Sequence, residues 1–146
     1  DLKQENDFEY HDMVSGFVKQ LNSDFFTSKF LQNLNEDDLS KLNIFPKNFP
    51  LLNERARSLN ELGYFLETIL NNNPQELLQL SDYCCIKIAE MLVKNISTYR
   101  DESIYKGNQV FLYKRAQIAA ADMYIALKEK NINLKNFESL TMFPDY

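Results

Sequence analysis

Apolar positions recur at helical spacing along most of this chain. From about Leu51 to Leu70 they fall at Leu52, Leu59, Leu62, Leu66, Ile69 and Leu70, most of them three, four or seven residues apart. That spacing places them on one face of a helix. Upstream, residues 8–22 and 24–42 read as short helices or turns, with Phe25, Phe26, Phe30, Leu31 and Leu34 forming an apolar face. Asn35-Glu36-Asp37-Asp38-Leu39 has the composition of a capped helix start. Pro46 and Pro50 then break the pattern, and Asn71-Asn72-Asn73-Pro74 closes one helix and opens the next.

Residues 75–96 are apolar on almost every side, through Leu77, Leu78, Leu80, Cys84, Cys85, Ile88, Met91 and Leu92. Such a helix belongs in the middle of a bundle. It is predicted to be the central element, with Leu80 and Leu92 buried. Around Gly107-Asn108 the segment 103–112 alternates weakly, which predicts a small hairpin or an extended loop. Helical spacing resumes from Tyr113 to about Lys130, and Ala119-Ala120-Ala121 would let another backbone come close.

These elements predict a mainly α fold, and composition agrees. The 146 residues suit a single domain over 1–146. With 45% hydrophobic and 25% charged residues, a packed core is expected. Three glycines and four prolines leave little material for many tight hairpins. The net charge of −5 argues against binding a nucleic-acid polymer through many phosphate contacts, although a local basic pocket is compatible with it. No apolar run reaches the roughly 18 residues of a membrane span. His11 is the only histidine and no zinc-type spacing occurs, so no metal site is expected. Cys84 and Cys85 are adjacent, a poor arrangement for a mutual disulfide. They read as buried reduced thiols, which suits a cytoplasmic protein.

One polar cluster stands out, near residues 100–122. Asp122 has Ile118, Ala119, Ile125 and Ala126 at its helical neighbour positions, and a carboxylate so placed needs a partner or a ligand. Arg115, two turns earlier, is the structural partner; contact with a substrate is the functional alternative. Lys114 and Gln117 share another face, with Tyr113, Arg100 and Asp101 nearby in sequence. By pattern alone these form a solvated polar patch.

The strings themselves go further. Leu112-Tyr113-Lys114-Arg115-Ala116-Gln117-Ile118, followed by Ala121-Asp122, resembles a signature of the queuosine salvage proteins. Tyr99-Arg100-Asp101 and Gly107 precede it at the family's spacing. Pro50-Leu51, Glu54-Arg55, Arg57, Leu59-Asn60-Glu61 and Gly63 are similar to an earlier family stretch, and Thr141-Met142-Phe143-Pro144-Asp145-Tyr146 to a later one. The likeness covers about residues 49–146. It departs at Pro144, where the family usually carries alanine. The family also has segments beyond both ends of this chain, so an internal piece with incomplete pocket walls is expected, and the isolated piece is expected to be a poor catalyst.

The resemblance implies a helical fold similar to helix-hairpin-helix DNA glycosylases. It also implies hydrolysis of the N-glycosidic bond of queuosine 5′-monophosphate, releasing queuine for salvage into tRNA. It assigns catalysis to Asp145 and Lys114: the carboxylate to stabilise a cationic sugar and hold water, the lysine to set the carboxylate's charge state or contact the nucleotide. Phe143 is the residue to stack on or wall the base. Tyr113, Asp101 and Asp122 are the further substrate-binding candidates, the two aspartates facing the base's polar edge or its ammonium-bearing side chain unless they are purely structural. The reaction requires no cofactor. The contrasting reading is a non-catalytic helical interaction module derived from the same fold.

Overall fold

A computed structural model describes residues 8–21, 23–46 and 49–141. Among them the fold is mainly α: seven α-helices and one two-stranded antiparallel hairpin. The chain forms two compact units, residues 1–72 and 73–146. Among the described residues, no helix is long and apolar enough to cross a membrane.

In the first unit, α1 spans Tyr10–Val18, α2 Ser28–Asn33, α3 Glu36–Lys41 and α4 Leu52–Thr68. Local chemistry sets their boundaries. The Thr27 hydroxyl accepts the Phe30 N–H at the start of α2. Asn35 and Asp38 exchange side-chain hydrogen bonds with each other's main-chain N–H, a capping box that opens α3 as its sequence predicts. Past α4, Asn71 and Asn72 adopt positive φ, which asparagine tolerates better than most residues. The core consists of Phe25, Leu31, Leu34, Leu39, Ile44, Phe45, Leu52 and Ala56, against which Phe8, Phe17, Phe49 and Leu62 also pack.

The family-like stretch along α4 is architectural. Arg55 lies over the rings of Phe45 and Phe49, 5.1 and 5.0 Å from their centroids, a cation–π arrangement. Asn60 donates from its side-chain amide to the carbonyls of Leu31 (2.7 Å) and Leu34 (2.8 Å), satisfying groups that the end of α2 leaves open. Gly63 is buried against α2, close enough that a Cβ there would sit 2.7 Å from the Gln32 nitrogen.

The second unit contains α5 (Glu76–Leu80), α6 (Cys85–Asn95), β1 (Glu102–Tyr105), β2 (Asn108–Phe111) and α7 (Lys114–Lys128). The continuous helix expected over 75–96 is interrupted. Asp82 and Tyr83 take positive φ, and Cys84 is extended and bridged to Lys135. The Lys135 N–H donates to the Tyr83 carbonyl and the Cys85 N–H to the Lys135 carbonyl. Hydrogen bonds to the distant residue Lys135 thus replace the helical ladder, which periodicity in a single segment does not reveal.

The interruption also corrects the burial expected there. Leu92 is 4% exposed, whereas Leu80 is 52% exposed and not in the core. Nor is α6 apolar all round: Cys85, Ile88, Ala89 and Leu92 are buried, while Lys87, Glu90 and Lys94 face solvent. Both cysteines are free and buried. Packing of α6 on α7 uses the small side chains of Ala116, Ala120 and Ala121, all buried. The hairpin pairs Glu102 with Phe111 through Tyr105 with Asn108. Its turn residues are Lys106 and Gly107, both at positive φ, as a tight two-residue turn between twisted strands requires.

Candidate active site

The polar cluster marked out by sequence gathers at the start of α7. Arg100 and Asp101 sit between the short 3₁₀ turn Ser97–Tyr99 and β1. The Arg100 guanidinium donates to the carbonyls of Val93 and Lys94, both at 2.7 Å, near the end of α6. Asp101 Oδ2 accepts the Lys114 N–H at 2.7 Å, and its main-chain carbonyl accepts from Leu112 at 3.0 Å. Asp101 Oδ1 is buried and has no hydrogen-bond partner among the described residues.

Tyr113 adopts positive φ just before the helix, and its hydroxyl donates to Glu102 at 3.1 Å. Partial loss of hydration and the adjacent Glu102 carboxylate raise its pKa above the ordinary phenol value. Burial also raises that of Tyr99, against the opposing pull of the Arg115 charge. Both hydroxyls therefore stay protonated near neutrality.

Asp101 and Lys114 line one cleft of about 620 Å³, together with Ser97, Thr98, Arg100, Arg115 and Ile118. The cleft wall carries three cationic residues and one carboxylate, so an acidic protein has a locally basic lining suited to an anion. A cleft of about 370 Å³ in the first unit has the opposite character, with Glu36, Asp37 and Glu54 in its wall. Phosphate would be repelled there.

Of the expected site residues, Asp101 and Lys114 are brought together, with Tyr113 beside them in the chain. Asp122 lies two turns further along α7, exposed, and is not part of the cleft wall. The structural pair proposed for it does not form: no ion pair joins Arg115 to Asp122. Asp122 instead keeps its hydration, because the face it occupies at that end of α7 is open. Phe143 and Asp145 lie outside the described residues.

Gln117 has a role that pattern reading assigned to a solvated patch. Its Oε1 accepts the Thr141 N–H at 2.6 Å, and its amide nitrogen donates to the Leu112 carbonyl at 3.1 Å. The helix bearing Lys114 is thereby tied to the first residue of the Thr141–Tyr146 motif. Co-occurrence of the two motifs was the only trace of this link in sequence.

The whole chain, residues 1–146, matches the queuosine salvage protein family. It belongs to that family. Among its relatives, the queuosine 5′-phosphate N-glycosylase/hydrolase of Dictyostelium discoideum is 30% identical over 145 residues, covering 97% of this chain and 44% of the relative. The bovine protein of the same name is 38% identical over 98 residues, covering 66% of this chain and 29% of its own length. A bacterial one, from Sphaerobacter thermophilus, is 28% identical over 120 residues and covered for 37% of its length. The chain thus spans less than half the length of these queuosine salvage relatives.

Proposed function

We propose that this chain carries part of the active site of a hydrolase that releases queuine from queuosine 5′-monophosphate. The observation that supports this most is the basic cleft around Lys114, held by the residues that make up the family-like motifs. An anionic mononucleotide suits such a pocket in a protein whose net charge of −5 discourages binding of long polyanions. Intact tRNA is therefore not the substrate, and gel shifts at low salt should show no tight, salt-sensitive complex.

Queuine is a 7-deazapurine, so the ring nitrogen that other purine hydrolases protonate is missing. Leaving-group activation is weak, and the burden falls on the sugar. As the C1′–N9 bond breaks, its electron pair departs with the base and positive charge grows on the ribose. Asp145 supplies the ionised carboxylate that stabilises this charge and orients water. Water adds to C1′, and the proton it gives up ends on the base nitrogen. Lys114 keeps the carboxylate ionised or holds the nucleotide, and Phe143 walls the base. The reaction needs neither a metal nor an organic cofactor.

The test is incubation of a protein containing the full family length with queuosine 5′-monophosphate, with free queuine and ribose 5-phosphate followed by mass spectrometry. Stoichiometric appearance of both products is expected. Binding of the nucleotide without release, in a protein containing the full family length, would refute hydrolysis and favour a non-catalytic module.

A further inference from the structure

We propose that Asp101 is a positioning residue, which fixes the main chain of Lys114 from outside its helix and does not itself touch substrate. Helix α7 begins without a cap of its own. Tyr113 at its N-cap position makes no side-chain capping bond, and the first turn contains no acidic residue. The missing acceptor comes from Asp101, thirteen residues earlier in the chain, through the 2.7 Å bond to the Lys114 N–H. A carboxylate at this end of a helix also complements its dipole.

Asp101 is itself firmly held. Its carbonyl receives the Leu112 N–H at the foot of the hairpin, and its neighbour Arg100 grips the last carbonyls of α6. Two adjacent residues of opposite charge therefore close the end of one helix and the start of the next, each at the end its charge favours. Lys114 is the first residue of α7, so its long flexible side chain starts from a fixed point on the wall of the basic cleft. Loss of the Asp101 acceptor would remove this hydrogen bond and let the first turn fray, displacing the ammonium group. Displacement of a catalytic group by about 1 Å is enough to slow a reaction by up to roughly a hundredfold.

Asparagine discriminates between positioning and contact. It retains an oxygen to accept the Lys114 N–H and removes the charge. Among the described residues no donor faces Oδ1, so an amide nitrogen in that position displaces no hydrogen bond seen there. Asp101→Asn is therefore expected to retain turnover within about threefold, while Asp101→Ala loses about tenfold or more in kcat with KM little changed. An Asp101→Asn variant as impaired as Asp101→Ala, with KM raised, would show that the charge meets substrate and overturn the proposal. So would an Asp101→Ala variant that melts earlier yet keeps full kcat well below its Tm.

These kinetics rest on the hydrolase reading; a spectroscopic measurement does not. In the unmutated protein the Lys114 amide proton should resonate downfield and exchange slowly. A Lys114 amide that exchanges as fast as an open helix end would refute the cap, even where no substrate is turned over. If the protein releases no queuine but this signal is present and survives in Asp101→Asn, the hydrolase reading fails and the positioning of Lys114 stands.

Discussion

Gly63→Ala should destabilise the first unit although alanine is the better helix former. In the interior of an exposed helix the exchange gains about 1 kcal/mol. Here the new Cβ would lie 2.7 Å from the Gln32 nitrogen, 2.8 Å from the Ser28 carbonyl oxygen and 2.9 Å from the Leu31 Cβ. Two of these atoms are main chain, so no side-chain rotation relieves the clash and α2 must retreat. Leu31 is fully buried, and α2 is tied to α4 by the Asn60 bonds and by Gln32 donating to the Gly63 carbonyl at 3.2 Å. Overpacking costs about 1–3 kcal/mol, and each bond stretched in the retreat about 1 kcal/mol more. After the propensity gain, the net loss is about 2 kcal/mol. Urea unfolding followed by circular dichroism measures it. Gly107→Ala is the control: it sits at φ +78° with nothing within 4 Å, so it should cost only about 1 kcal/mol of backbone strain. A Gly63→Ala protein as stable as the parent or more so would refute the close approach of α2 and α4.

Lys114→Met keeps the aliphatic stem and removes the charge; folding should persist while queuine release falls about a hundredfold, read by single-turnover assay. Asp145→Asn should still bind nucleotide but lose about a thousandfold in turnover, roughly 4 kcal/mol of barrier; a less stable yet fully active variant would make it merely a cap. Leu92→Ala should cost about 2–5 kcal/mol by leaving a cavity, whereas Leu80→Ala, at a half-exposed site, should cost less than about 1 kcal/mol in the same denaturation experiment. The two thiols should titrate apart. Burial opposes ionisation of Cys84, but the Lys87 N–H, the Asn136 amide, the Ile86 N–H and the Lys87 charge outweigh it, so its thiolate forms at lower pH than an ordinary thiol's. Burial and the neighbouring Cys84 push Cys85 the other way. Alkylation monitored against pH by mass spectrometry should therefore inflect lower for Cys84 than for Cys85, and a reversed order would contradict the contacts made by Cys84.

Local chemistry was enough to reveal most of the secondary structure. Apolar spacing marked α4 and α7, the string Asn35-Glu36-Asp37-Asp38-Leu39 marked the capped start of α3, and the scarcity of glycine and proline pointed to helices. The break at Asp82–Cys84 was not legible, because its hydrogen bonds go to Lys135, some fifty residues away, and apolar periodicity continues across it. Site residues divide in the same way. Motif resemblance marked Lys114 and Asp101, since residue identity and order are sequence properties. It could not say that Asp101 caps the helix of Lys114, that Gln117 holds Thr141, or that Asp122 faces solvent. Those facts depend on which groups meet across the fold. A hydrogen bond is decided by distance and direction between its two partners, and neither is written in the residues that make it.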